Sequence, residues 1–90
     1  MKKEKHIILG VHITNRLKEA VDVQRQLTAY GKNIKTRLGL HETKGEATEL
    51  NGLLLLEMIG HDKDSQELQD KLNAIEGVEV QRMEFEHTVG

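Results

Sequence analysis

Five histidines, His6, His12, His41, His61 and His87, are the side chains of this sequence best equipped for chemistry. Imidazole titrates near neutral pH and is the commonest protein ligand for divalent metals. His6 and His12 share the parity of one alternating apolar segment, and the same alternation places Glu57 on the face that carries His12. His12, His41 and Glu57 are therefore the candidate metal ligands, best assembled between two subunits. The histidines lack the HxH, HxxxH and HExxH spacings that place two imidazoles on one side of a single element. A second set is cationic. Arg16 follows the first apolar segment, where the start of a helix offers unpaired N–H groups to an anion. Asn15, Arg16 and Arg37 are accordingly the candidate ligand-binding residues, with Lys35 and Asn33 beside them.

The chain has 90 residues, 37% hydrophobic and 31% charged, with a net charge of -2. That length expects one domain over residues 1–90 with a core that is marginal alone, so self-association would add stability. The charge balance gives no general attraction to phosphate or anionic lipid, and neither nucleic-acid nor membrane binding is expected. With no cysteine there is no disulfide framework, no thiolate metal site and no cysteine-ligated cluster, which fits a cytoplasmic location. The sequence names no cofactor, and a divalent metal on the histidines is the candidate. The basic start precedes an apolar run, Ile7 to Val11, that is too short for a secretory signal.

The elements that must position these residues follow from periodicity. Ile7, Leu9, Val11 and Ile13 alternate with His6, Ile8, Gly10 and His12, which predicts a strand with one wholly apolar face. Thr14 and Asn15 supply cap oxygens for a helix whose stripe is Leu17, Ala20, Val21, Gln24 and Leu27, ending near Tyr30 and Gly31. Asn33 to Glu42 alternates again as a second strand. Thr43 to Asn51 is expected to be a long hairpin connection. Gly52 to Gly60 is apolar on both sides around Leu53 to Leu56, as a central strand reads. Asp64 with Glu67 forms a capping box for a helix over residues 65–76, on which Leu68, Leu72 and Ile75 share one face. Gly77 suits a left-handed cap. Val78 to Phe85 is the last strand, and its parity slip between Val78/Val80 and Met83/Phe85 means either a bulge or an edge strand apolar on both faces. Residues 1–5 and 86–90 are expected to be flexible tails.

This order predicts an α+β fold, a ferredoxin-like βαββαβ sandwich whose four-stranded antiparallel sheet carries two helices on one face. Within it the first and third strands are expected side by side at the centre, and parallel. The face away from the helices then holds Ile8, Gly10, Leu53, Leu55 and Ile59. That is too apolar for a monomer's surface, so these five residues are the expected homo-oligomer interface, in a dimer or tetramer.

What is missing excludes several uses of such a fold. RNA-recognition domains stack bases on aromatics of the central strands, and the only aromatic rings besides histidine are Tyr30 and Phe85, on neither. Copper chaperones need a CxxC loop. Acylphosphatases use a glycine-rich loop after the first strand, and Gly10-Val11-His12-Ile13-Thr14-Asn15-Arg16 does not provide one.

Three stretches in order, Asn33-Ile34-Lys35-Thr36-Arg37-Leu38-Gly39-Leu40-His41, Gly52-Leu53-Leu54-Leu55-Leu56-Glu57 and Ile75-Glu76-Gly77-Val78-Glu79-Val80, resemble the small stand-alone iron-only hydrogenase system regulators. The resemblance spans nearly the whole chain. It implies an ACT-like domain similar in shape to the C-terminal domain of the nickel-responsive repressor, a kind of domain that oligomerises and senses small ligands. The repressor's high-affinity nickel site includes a cysteine, which this chain lacks. Its DNA-binding segment would precede Ile7, where only a handful of residues stand.

The function expected is therefore regulatory and non-enzymatic: an oligomeric ACT-like module that senses a small ligand or metal, or docks on a protein partner. The alternative is a dimeric α+β barrel enzyme with a histidine base in a cavity between subunits, for which His12 and Glu57 are the expected pair. A third reading is assembly or maturation work beside an iron–sulfur enzyme.

Overall fold

Four apolar residues at every second position, Ile7, Leu9, Val11 and Ile13, are all buried, and they define the inner face of the sheet. The computed structural model describes residues 2–14, 16–40 and 52–89, with side chains over 4–14, 19–39 and 52–87. Strand β1 (Lys2–Ile13) leads to helix α1 (Arg16–Ala29), a short 3-10 turn (Gly31–Asn33) and strand β2 (Ile34–Leu40). Strand β3 (Gly52–Met58), helix α2 (Asp62–Asn73) and strand β4 (Val78–Val89) complete the chain. The sheet order is β2-β3-β1-β4. This is the ferredoxin-like βαββαβ sandwich. The expected connection over residues 43–51 lies outside the described residues.

The core lies between this inner face and the two helices. Leu9, Val11 and Leu56 from the sheet meet Val23, Leu27, Leu68 and Leu72 from the helices, and Val78 and Val80 close the β4 side. Gly77 takes a φ of +87° at the turn into β4, as a left-handed cap requires. Its carbonyl accepts the Thr14 N–H at 2.9 Å, which ties the end of β1 to the start of β4.

Several expectations are corrected. The central pair β1 and β3 is antiparallel, Leu9 facing Leu56 and Val11 facing Leu54. A crossover makes β1 and β2 co-directional and the β2–β3 connection reverses the chain, so β3 must oppose β1. Residues 2–5 and 86–89, read as tails, belong to strands, since the β1–β4 ladder runs unbroken from Lys2↔Val89 to Ile13↔Val78. The unbroken ladder also settles the parity slip in β4. There is no bulge: Val78 and Val80 face the helices, while Met83 and Phe85 face away, 54% and 48% exposed. The bulge in the sheet is in β2, between Ile34 and Thr36.

Helix α2 starts three residues before the expected Ser65. His61 occupies its cap position without a side-chain cap bond, and Asp62 and Asp64 lie in the first turn, where carboxylates favour the positive end of the helix. The expected capping box does not form because both partners are engaged elsewhere. Asn33 donates to Asp64 Oδ2 at 3.3 Å and the Tyr30 hydroxyl donates to Glu67 Oε2 at 3.2 Å, contacts that join α2 to the segment after α1.

Candidate functional site

Period-two geometry sorts alternate side chains of each strand onto the outer face of the sheet, which no helix covers among the described residues. Register places His6, Ile8, Gly10 and His12 of β1 there with Leu53, Leu55 and Glu57 of β3, Glu79, Gln81, Met83, Phe85 and His87 of β4, and Thr36 and Leu38 of β2. Leu38 is 50% exposed and Leu53 is 37% exposed. Ile8, Gly10 and Leu55 are half-buried by their neighbours. Ile59, expected in the same patch, is exposed just beyond the end of β3, where its N–H donates to the Asn33 carbonyl at 2.8 Å. Four of the five residues expected on this face, Ile8, Gly10, Leu53 and Leu55, share it by register with Leu38, Met83 and Phe85. Leu38, Met83 and Phe85 were missed; the β4 pair is found only once the strand is read as an edge apolar on both sides.

The most ordered polar group on this face is centred on Glu57. His6 Nε2 lies 2.7 Å from Glu57 Oε2, and the Thr36 hydroxyl donates to Glu57 Oε1 at 2.7 Å. The Thr36 bond first, and the His6 bond second, hold the Glu57 carboxyl below its ordinary pKa, because hydrogen bonds to the charged form favour it. Phe85 and His87 flank His6, each with its ring centroid 6.5 Å away. His87 Nε2 is 3.9 Å from Glu4 Oε2. His12 stands opposite Glu79, whose Oε2 accepts from Gln81 at 3.1 Å.

Within one protomer His12 and Glu57 stand apart. His12 faces Leu53, whereas Glu57 faces Ile8, four residues further along the strand, or about 13 Å at 3.3 Å per residue. Within the same protomer Glu57 pairs with His6. His41 and Asn15 lie outside the described residues. Among the described residues no group of three or more histidine, aspartate or glutamate side chains is arranged to hold a metal ion. Arg16 is the first residue of α1. Arg37 lies on the other side of the sheet, where Nη2 donates to Gln24 Oε1 of α1 at 2.9 Å, so the bulge in β2 separates it from Glu57.

A second polar cluster lies on the helix side, at the edge formed by β1, β4 and α2. Arg82 Nη2 pairs with Asp62 and, at 2.8 Å, with Glu84, while Lys5 Nζ reaches Asp62 at 3.2 Å and Glu84 at 3.7 Å. Arg82 and then Lys5 hold Asp62 below its ordinary pKa. Each cation is matched by carboxylates, so the cluster braces the strands against α2.

No protein-family model matches the chain, and no curated protein matches it. Solved structures share its fold. An uncharacterized protein from Thermotoga maritima superimposes with a TM-score of 0.76 at 24% identity, covering 90% of this chain and 98% of the other. A protein from Thermus thermophilus described as PII-like and signalling gives 0.64 at 7% identity, over 97% and 93% of the two chains. The CPII protein of Thiomonas intermedia K12, solved with ADP, AMP and acetate, gives 0.56 at 14% identity, over 99% and 94%. Its apo form is described as a nitrogen regulatory PII-like protein. Among the described residues no helix is long and apolar enough to cross a membrane.

Proposed function

We propose that this chain is a non-enzymatic regulatory module that assembles into a homo-oligomer through the outer face of its sheet and senses a small ligand. The observation that carries this reading is the unpartnered apolar face itself. Ile8, Leu38, Leu53, Leu55, Met83 and Phe85 lie on one sheet side that no helix covers among the described residues, and contiguous apolar surface of this kind marks association sites. Likeness in fold to PII-like signalling proteins supports the regulatory part.

The ligand reading draws on CPII, a neighbour in fold described with ADP, AMP and acetate. Anions of this chemistry are what Arg16, at the start of α1, and Arg37, on β2, are suited to meet. The finer assignment to iron-only hydrogenase system regulators rests on the three sequence stretches that resemble that family.

The test is native mass at several protein concentrations, with thermal unfolding in the presence of AMP, ADP or acetate. A discrete oligomer is expected, and Leu55→Asp, which puts an unpaired charge into the contact, is expected to reduce it to monomer. An oligomer indifferent to Leu55→Asp would refute the face assignment. The absence of any stabilisation by the three anions would remove them as the ligand class.

A further inference from the structure

Among the described residues the outer face carries three histidines and three glutamates, and each histidine has a glutamate beside it. His6 is bonded to Glu57, His87 lies 3.9 Å from Glu4, and His12 stands directly opposite Glu79 across β1 and β4. The three pairs sit among the apolar residues of the proposed interface. We propose that these pairs make association of a second copy on this face proton-gated, tight when the imidazoles are protonated and weak when they are neutral. The inference rests on the reading of this face as the homo-oligomer contact.

The argument is one of desolvation. Closing the face takes Glu4, Glu57 and Glu79 out of water, and an unpaired carboxylate resists that transfer strongly. A protonated imidazole at each one converts it to a hydrogen-bonded ion pair, which costs less to bury and attracts more strongly in the drier interface. Two copies docking by the same face double the effect, since six carboxylates approach one another. Association therefore takes up protons and weakens as pH rises through the range in which histidine titrates.

Among the described residues, other groups near the face do not remove the requirement. Lys35, at the β2 bulge, acts on Glu57. It does not stand opposite Glu4 or Glu79, which face His87 and His12. Thr36 and Gln81 donate hydrogen bonds to Glu57 and Glu79 but carry no charge. Phe85, its ring centroid 6.5 Å from that of His6, is apolar and brings no charge. Helices α1 and α2 pack on the opposite side of the sheet.

Sedimentation velocity of the whole chain at about pH 6 and about pH 8.5 tests the proposal, a window chosen to bracket the ordinary histidine pKa. Association is expected to be at least about tenfold tighter at the lower pH. The triple variant His6→Gln/His12→Gln/His87→Gln should associate weakly at both, and Glu4→Gln/Glu57→Gln/Glu79→Gln should reverse the dependence, associating more tightly at the higher pH, where no imidazolium is left to be buried unpaired. His61→Gln, a histidine at the start of α2 and off this face, should keep the full pH dependence, which separates the effect from a general loss of net charge in acid.

A discrete oligomer that Leu55→Asp dissociates but whose strength ignores pH overturns the gating and leaves the face assignment standing. A monomer at both pH values overturns the face assignment and the gating with it. A pH dependence that survives the triple histidine variant overturns the gating alone.

Discussion

His6 Nε2 lies 2.7 Å from Glu57 Oε2 although Glu57 stands opposite Ile8, not His6, in the β1–β3 register. The contact crosses the two strands diagonally, a separation that long side chains on one face span. The other carboxylate oxygen accepts from Thr36 of β2. One side chain on β3 therefore ties together the strands on both its sides, and it does so on the outer face of the sheet.

This arrangement predicts an acid-side loss of stability. The Thr36 and His6 bonds lower the pKa of Glu57 in the folded chain relative to the unfolded one. A group depressed in this way contributes stability above its unfolded pKa, about 4.3 for glutamate, and loses it as pH falls through the lower folded value. Glu57→Gln removes that contribution. Chemical denaturation at a series of pH values from neutral downward should show a flatter acid limb for the variant than for the parent; parallel limbs would mean the carboxylate is not held in its charged form.

Asp62 titrates in the same sense, but its substitution should be mild. Its carboxylate meets Arg82 and Lys5 while remaining 46% exposed, and exposed ion pairs contribute about 0–1 kcal/mol. Asp62→Asn is expected to cost less than about 1 kcal/mol at neutral pH, and the cost should shrink further in high salt. A loss several times larger, read from urea midpoints, would mean that the cluster holds α2 on the sheet and does more than brace an edge.

The core predicts a sharper response. Leu56 is 0% exposed at the centre of β3, with fully buried Leu9 opposite it. Leu56→Ala removes three heavy atoms from a close-packed site and should cost about 2–5 kcal/mol. Leu53→Ala, on the outer face of the same strand and 37% exposed, should change unfolding of the monomer much less. Equal losses in the two variants under dissociating conditions would contradict the assignment of inner and outer faces.

Strand parity made that assignment legible before any coordinates. Ile7, Leu9, Val11 and Ile13 share one parity, as do Leu54, Leu56 and Met58, so one choice of face fixes every side chain on both strands, although Ile8, Leu53 and Leu55 make the other face apolar as well. The candidate site was less legible because it depends on offsets between strands, which periodicity does not supply. His6 and His12 share parity, and the choice of His6 as partner of Glu57 comes only from the pairing of Ile8 with Glu57. Arg37 misled for a related reason: one bulge between Ile34 and Thr36 shifts register, and a one-residue shift exchanges faces. Asp64 and Glu67 matched a capping pattern that Asn33 and Tyr30 then competed for across the fold.

Gly77 offers a test of how local and tertiary requirements combine. Its φ of +87° disfavours any residue with a Cβ, at a cost of about 1–2 kcal/mol. In addition the Glu19 carboxylate of α1, on a residue only 5% exposed, fills the space a Cβ would take. Displacing a buried polar group that has partners costs about 1–3 kcal/mol more, so Gly77→Ala should lose about 2–5 kcal/mol in total. The two parts separate in a double-mutant cycle. Shortening Glu19 to Ala clears the collision but leaves the backbone strain, so Gly77→Ala should cost less in the Glu19→Ala background than in the parent. The measurement is urea denaturation of the four proteins at one fixed concentration, since assembly would otherwise shift the midpoints. Strict additivity would place the whole cost in the backbone and remove Glu19 from the account.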